Sequence, residues 1–250
     1  MAHIITEKQY QRYIIDYLVN KNGYIERTNE NFDRLFAIDR ELLFKFLEDT
    51  QPDEVAKLKK AYKDKFEDTV ISVINNQITS KQSSLVESLK HGVDISTTHL
   101  TLMYTKPATA FNKELVKKYS QNIFSVAEEI YATDDERIDL VLFINGFAVV
   151  SFELKCNASG QNYENAIRQY RTERDPKARL FLFKAGCIVN FAMDLEECHM
   201  TTKLAGKSTF LKLLSGEIDS TSGEVLMDKK ERKSKINKIS LSSIKRWRFN

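Results

Sequence analysis

The chain has 250 residues, of which 42% are hydrophobic, enough for one sizeable core or one core with a small appendage. Because 38 Lys and Arg nearly balance 35 Asp and Glu, a net charge of +3 excludes global charge as the basis of nucleic-acid binding. The three cysteines never form a CxxC pair, which argues against a disulfide framework and a zinc site. Without a signal-peptide or membrane-length apolar run, we expect a cytoplasmic protein with no membrane contact.

Helices are predicted for the N-terminal part of the chain. Thr6 and Gln9 form a capping-box pattern, and apolar residues then recur at helical spacing as far as "NKNGY", which predicts a first helix. The stretch 39–91 is charged and carries apolar stripes interrupted by turns such as "TQPD". It predicts a helical insertion.

Strand patterns dominate from Thr98 onward. The segments "THLTLMY", "IFSVAEEIY", "RIDLVLFI" and "FAVVSFEL" predict strands, and "NGF" between the last two predicts a hairpin turn. A helix follows around residues 163–170, and "RLFLF" and "CIVNFAM" predict two more short strands. By contrast, "DLEECHMTTK" is polar and predicts no buried strand. The pattern as a whole predicts an α/β domain with a mixed sheet.

Charged residues interrupt the central hairpin. Asp139 lies in an otherwise apolar strand, and period-2 alternation places Glu153 and Lys155 on one face at the end of the next. Two neighbouring carboxylates repel unless a proton or cation intervenes, and Mg²⁺ with water and phosphate oxygens suits such a pair. A lysine beside them can hold or deprotonate an attacking water. Metal-assisted phosphodiester hydrolysis and a structural ion pair at the sheet edge both remain open.

The hairpin register gives a structural condition for the metal site. A regular ladder closed by a two-residue Asn145-Gly146 turn would set Asp139 opposite Phe152, on the face away from Glu153. A shared metal forbids that arrangement. We therefore predict an odd-length loop or a β-bulge between the two acids.

Several segments resemble the N-terminal nuclease region of the restriction subunit of type I restriction-modification enzymes, a branch of the PD-(D/E)xK nuclease fold. They are "HGVDISTTHLTLMY", "NIFSVAEEIY", "RIDLVLFINGFAVVSFELK" and "NAIRQYRTERDP", and the resemblance runs from about Glu7 to Phe210. It implies a restriction-endonuclease-like mixed sheet flanked by helices, with an N-terminal helical insertion. The nuclease domain would span residues 1–205.

The resemblance also implies roles for individual residues. Mg²⁺ would be bound by Asp139, Glu153 and the Leu154 carbonyl, and Lys155 would position or activate the water. Gln169 and Tyr170 match a supporting helix that contacts DNA, although position 173 is Glu where some relatives complete a Gln-x-x-x-Tyr pattern. Glu7 resembles an acid on the family's first helix, with a solvated first-turn glutamate as the alternative.

Three arginines follow the predicted site at three-residue steps. Arg168, Arg171 and Arg174 would share a broad helix face and neutralise DNA phosphates, with a solvated basic face as the alternative.

The C-terminal segment 206–250 is similar to the stretch after the phosphate loop of ABC-type ATPases. It begins "GKSTF", and we expect it to be poorly ordered. A phosphate loop needs glycine five positions before Gly206, where this chain has Thr201, so we expect no ATP binding by this chain. ATP would serve only the full-length enzyme of the family.

The sequence therefore favours a Mg²⁺-dependent DNA endonuclease domain without its motor. The resemblance implies that cleavage depends on ATP-driven translocation and on modification and specificity subunits. Activity of the domain alone would accordingly be weak or absent. The alternative is a non-cleaving module with the nuclease fold that binds DNA or partner subunits.

Overall fold

The computed structural model describes residues 5–156, 160–204 and 211–212. Within them, a nine-stranded mixed sheet is flanked by helices. The helices are α1 Glu7–Asn22, α2 Arg40–Thr50, α3 Pro52–Tyr62, α4 Phe66–Thr79, α5 Leu85–His91, α6 Lys113–Ser120 and α7 Tyr163–Thr172. The strands are β1 Ile25–Arg27, β2 Phe32–Asp33, β3 Ile38–Asp39, β4 Val93–Ile95, β5 Thr98–Leu100, β6 Phe124–Tyr131, β7 Arg137–Ile144, β8 Phe147–Leu154, β9 Val189–Met193, β10 Cys198–Thr201 and β11 Leu211–Lys212.

The main sheet has the order β1-β6-β7-β8-β9-β10-β11. β1 runs parallel to β6 and β8 runs parallel to β9, whereas β7 is antiparallel to both of its neighbours, β6 and β8. The short strands β2 and β3 attach to β8, and β4 with β5 forms a separate hairpin. This architecture confirms the predicted mixed α/β fold and places β7 and β8 at its centre.

Helix α1 forms as the sequence predicts. The side chain of Thr6 accepts a hydrogen bond from Gln9 N, Thr6 N donates one to Gln9 Oε1, and Gly23 ends the helix with φ 73°. A left-handed residue at this position suits glycine. Apolar residues of α1 pack against β7, β8 and β9, so the helix covers one face of the central strands.

The predicted helical insertion is also present, as α2 to α5. Pro52 begins α3, where its missing N–H costs nothing. Apolar stripes from these helices form one core with Ile144, Phe147 and Val149 from the turn end of the β7–β8 hairpin. The insertion therefore buttresses the hairpin at the end opposite Asp139.

Two local predictions about strands are wrong, and a third is confirmed only in part. The segment "RLFLF" forms turns, in which Cys187 N donates to Leu180 O over 2.7 Å, so Leu180 and Phe181 are buried without a ladder while Phe183 is exposed. Only Thr98–Leu100 of "THLTLMY" is a strand. Conversely, the polar stretch near residue 200 contains β10, which pairs with β9 and buries His199 and Thr201.

The described residues contain no helix that is both long and apolar enough to cross a membrane. Apart from the two-residue strand β11, the segment 206–250 lies outside the described residues. The domain boundary near residue 205 and the ATPase-like interpretation of this segment therefore stay predictions.

Candidate active site at the ends of two central strands

A β-bulge sets the register of the central hairpin. Next to the Asn145–Gly146 turn, Ile144 pairs with Phe147, but the ladder shifts by one residue further on, so that Val149 is extra. A regular ladder after this turn would have placed the two acids on opposite faces of the sheet. The bulge shifts one strand by a single position and so reverses that arrangement. The predicted bulge is confirmed.

Beyond the bulge, Leu140 pairs with Phe152. Extending this register by one residue sets Asp139 opposite Glu153, with both side chains on the same face of the sheet. Strands β7 and β8 thus bring the two predicted acids together.

Asp139 is held by neighbours on both sides. Its Oδ2 accepts a hydrogen bond of 2.6 Å from Leu154 N, and its carbonyl accepts one of 3.0 Å from Gln11 Nε2 of α1. Burial raises the pKa of the Asp139 carboxyl to about 6, although the Leu154 N–H and the Lys155 charge favour its ionised form. A carboxylate in this environment benefits from a bound cation.

Glu153 is 1% exposed and its two carboxyl oxygens have different surroundings. Oε1 accepts a hydrogen bond of 2.8 Å from Arg174 Nε, whereas Oε2 is buried with no hydrogen-bond partner. Burial, followed by the nearby charge of Asp139, raises the pKa of Glu153 to about 8. An unpartnered buried carboxylate oxygen is costly, and a metal ion would satisfy it.

Lys155 lies at the end of β8 and is 5% exposed. Its ammonium donates a hydrogen bond of 2.8 Å to Leu154 O and lies 3.6 Å from Glu7 Oε2. Glu7 therefore stands beside the lysine, at the first turn of α1, rather than remote from the site. The lysine and the carbonyl predicted as a metal ligand are in direct contact.

The supporting helix α7 packs beside the acids. Its N-cap is Asn162, and Asp194 Oδ2 also accepts a hydrogen bond of 3.0 Å from Tyr163 N. Buried Tyr170 shares a hydrogen bond of 2.8 Å with Ser151 Oγ, and burial with the Glu153 charge raises its hydroxyl pKa well above the ordinary value. The structure thus brings Tyr170 to the acid pair as a neutral, fixed side chain.

Gln169 on the same helix has a buried Oε1 with no hydrogen-bond partner. Its neighbours Arg168 and Arg171 are exposed on α7. The predicted shared face does not extend to Arg174, because α7 ends at Thr172 and the Arg174 guanidinium turns inward to Glu153. The geometric part of that prediction is wrong, and DNA contact by these arginines stays a prediction.

Some residues around the site carry no sequence signal. Gln11 reads as a polar residue of a helix, yet it binds the backbone of β7 and is 4% exposed. Glu129 has φ 57° within β6, pairs with Arg137 and adds negative charge near Asp139. Asp194 resembles any loop acid, but it anchors α7 to the end of β9. Each role depends on contacts between residues distant in sequence.

These features define a mixed α/β domain with an acid pair and a lysine at the ends of two central strands. The family model for the N terminus of the type I restriction enzyme R protein matches residues 4–208. Because the match covers most of the chain, the chain belongs to this family. A search of curated proteins found no match.

Proposed function

We propose that the chain is the Mg²⁺-dependent DNA endonuclease domain of a type I restriction-modification enzyme and hydrolyses DNA phosphodiester bonds. The observation that carries this proposal is the bulged register that sets Asp139 opposite Glu153, with one buried Glu153 oxygen unpartnered. Family membership supports the restriction system as its context.

The donor set fits Mg²⁺. Among the described residues no three His, Cys, Asp or Glu side chains converge as a metal cluster, so the ion would rest on two carboxylates, one carbonyl and water. Magnesium characteristically binds through one or two carboxylates and keeps several waters. Asp139, Glu153 and Leu154 O would hold it, and the bound ion would supply Lewis-acid activation of the phosphate.

The remaining residues would orient the reactants. Lys155 Nζ, adjacent to Leu154 O, would donate a hydrogen bond to the attacking water or to the phosphate. Glu7 near that ammonium would fix its position. Tyr170 would hold the floor of the site through Ser151, since both side chains are buried.

DNA would approach over the exposed face of α7. Arg168 and Arg171 lie on that face of the helix that packs beside the acid pair. Lysines and arginines that neutralise phosphates give salt-dependent binding. The logarithm of the binding constant falls with the logarithm of the salt concentration, with a slope of roughly −0.9 per phosphate contact. Replacing both arginines by glutamine should therefore make this salt-dependence slope shallower by about two. The modification and specificity subunits would be further partners.

The alternative function is a non-cleaving module that binds DNA or partner subunits. The Arg174–Glu153 pair favours it, because a buried cation already neutralises one of the two acids. A structural ion pair would need no metal.

Cleavage of supercoiled DNA with Mg²⁺ and the partner subunits separates the two functions. We expect nicked or linear product with the wild-type chain, none with Asp139→Ala and wild-type levels with Glu67→Ala, which changes an exposed acid on α4 away from the expected DNA face. Equal cleavage by Asp139→Ala would refute the site. No cleavage by the wild type in the assembled enzyme would favour the non-cleaving module.

A further inference from the structure

The Arg174 side chain forms a bridge between the two strands of the candidate site. Two of its nitrogens contact one oxygen of Glu153, Nε at 2.8 Å and Nη2 at 2.7 Å. Nη2 also donates a hydrogen bond of 3.0 Å to Arg137 O. Because Arg137 lies on β7, two residues before Asp139, the guanidinium joins the strand that carries one acid to the side chain of the other.

The bridge holds Glu153 asymmetrically. Both guanidinium contacts fall on Oε1, whereas Oε2 is buried without a hydrogen-bond partner. A carboxylate fixed by one oxygen has its rotation set, and its other oxygen is presented in one direction. Carboxylates that bind metals are commonly oriented by such outer hydrogen bonds.

The backbone fixes Arg174 independently of this contact. Its N–H donates to Gln169 O over 3.1 Å at the end of α7, and the next N–H, of Asp175, donates to the Glu136 carboxylate. The Arg174 side chain is 8% exposed. Its position is therefore set by the exit of α7, before any cation enters the site.

We propose that Arg174 is a positioning residue that fixes the Glu153 carboxylate so that Oε2 faces a divalent cation. The inference rests on the proposed function, since it gives the cation its place at the acid pair. The role is distinct from the DNA contact expected from the sequence. It also differs from a permanent substitute for the metal, because one oxygen is left free.

Calorimetric titration with Mn²⁺, standing in for Mg²⁺, tests the proposal in the purified chain. Outer hydrogen-bond partners typically contribute 10- to 100-fold in metal affinity, so Arg174→Met should weaken binding by about that factor. Arg174→Lys keeps the charge but loses the planar fork, and its affinity should fall between the two. The matched control, Lys177→Met, removes an exposed cation from the same segment and should bind as the wild type does.

The outcomes separate this inference from the proposed function. If the wild type binds Mn²⁺ and folded Arg174→Met binds it equally or more tightly, Arg174 is a structural or competing cation and the proposal is wrong. Should Arg174→Met not fold, Arg174→Lys decides by the same criterion. A purely structural role would lower the melting temperature of both variants and leave Mn²⁺ affinity unchanged. Absence of Mn²⁺ binding to the wild type would instead remove the metal site itself.

Discussion

Replacing Glu153 by glutamine should stabilise the metal-free protein while it abolishes the metal site. Glu153 is 1% exposed, and burial raises its pKa from 4.5 to about 8. Between these values the folded chain keeps a proton that the unfolded chain releases. Wild-type stability therefore falls as pH rises through this range. Glutamine has the same shape and no charge, and its carbonyl can still accept the hydrogen bond from Arg174.

The size of the effect follows from the pKa. A pKa difference of one between the folded and unfolded states is worth ~1.4 kcal/mol, so the buried charge of Glu153 lowers the free energy of unfolding by on the order of 4 kcal/mol at pH 8 before relaxation. Coupling to Asp139 and relaxation of the site reduce this, and we expect Glu153→Gln to gain about 2 kcal/mol at pH 8. For a domain of this size the melting temperature should rise by about 4–8 °C. The gain should vanish toward pH 5.

Thermal and chemical denaturation in the presence of EDTA measures this difference at pH 5 and pH 8. Glu164→Gln, on the exposed side of α7, is the matched control and should change stability by less than ~0.5 kcal/mol at either pH. A Glu153→Gln protein no more stable than the wild type at pH 8 would refute the reasoning, as would a gain of equal size at both pH values.

Three further predictions concern the supporting structure and the C-terminal segment. Tyr170→Phe removes the hydrogen bond to Ser151, whose hydroxyl still donates to Asn190. The variant should lose about 1 kcal/mol of stability in chemical denaturation and keep its Mn²⁺ affinity within about twofold. Loss of metal binding would show a more direct role for Tyr170. Gly146→Ala places a Cβ 2.4 Å from Asp39 O at a residue with φ 84° and should lower the free energy of unfolding by more than ~2 kcal/mol. The control Gly23→Ala, whose Cβ meets no atom within 4 Å, should lower it by ~1 kcal/mol. Equal costs would contradict the crowding at the turn. The chain should show no saturable ATP binding in fluorescent-nucleotide titrations, because a phosphate loop needs glycine at the position of Thr201, which lies in β10 and pairs with Asn190 of β9. Micromolar ATP binding that is lost in Lys207→Ala would overturn this prediction.

The parts of the fold that the sequence predicts are those with strong local patterns. Strands β7 and β8 are long and apolar, and α1 has a capping box and a left-handed glycine at its end. The bulge was predictable because alternation allows only two faces, so a shared site for Asp139 and Glu153 required one. That condition could be stated before the structure was known.

The failures are of three physical kinds. "RLFLF" is apolar enough for a strand, but turns bury Leu180 and Phe181 equally well, and composition does not distinguish the two. Strand β10 was missed because His199 and Thr201 are polar residues buried by pairing with β9. The contact between Arg174 and Glu153 was missed because it depends on where α7 ends, and helix ends are poorly determined by sequence.

The most direct test of the central claim is Mn²⁺ binding at pH 8, measured by calorimetry on the wild type and Asp139→Asn. Asparagine keeps an oxygen near Leu154 N but removes the charge opposite Glu153. We predict saturable binding to the wild type and a loss of at least ~100-fold in affinity in the variant, while exposed Glu164→Gln binds as the wild type does. No binding to the wild type, or equal binding to Asp139→Asn, would contradict a metal site at this acid pair.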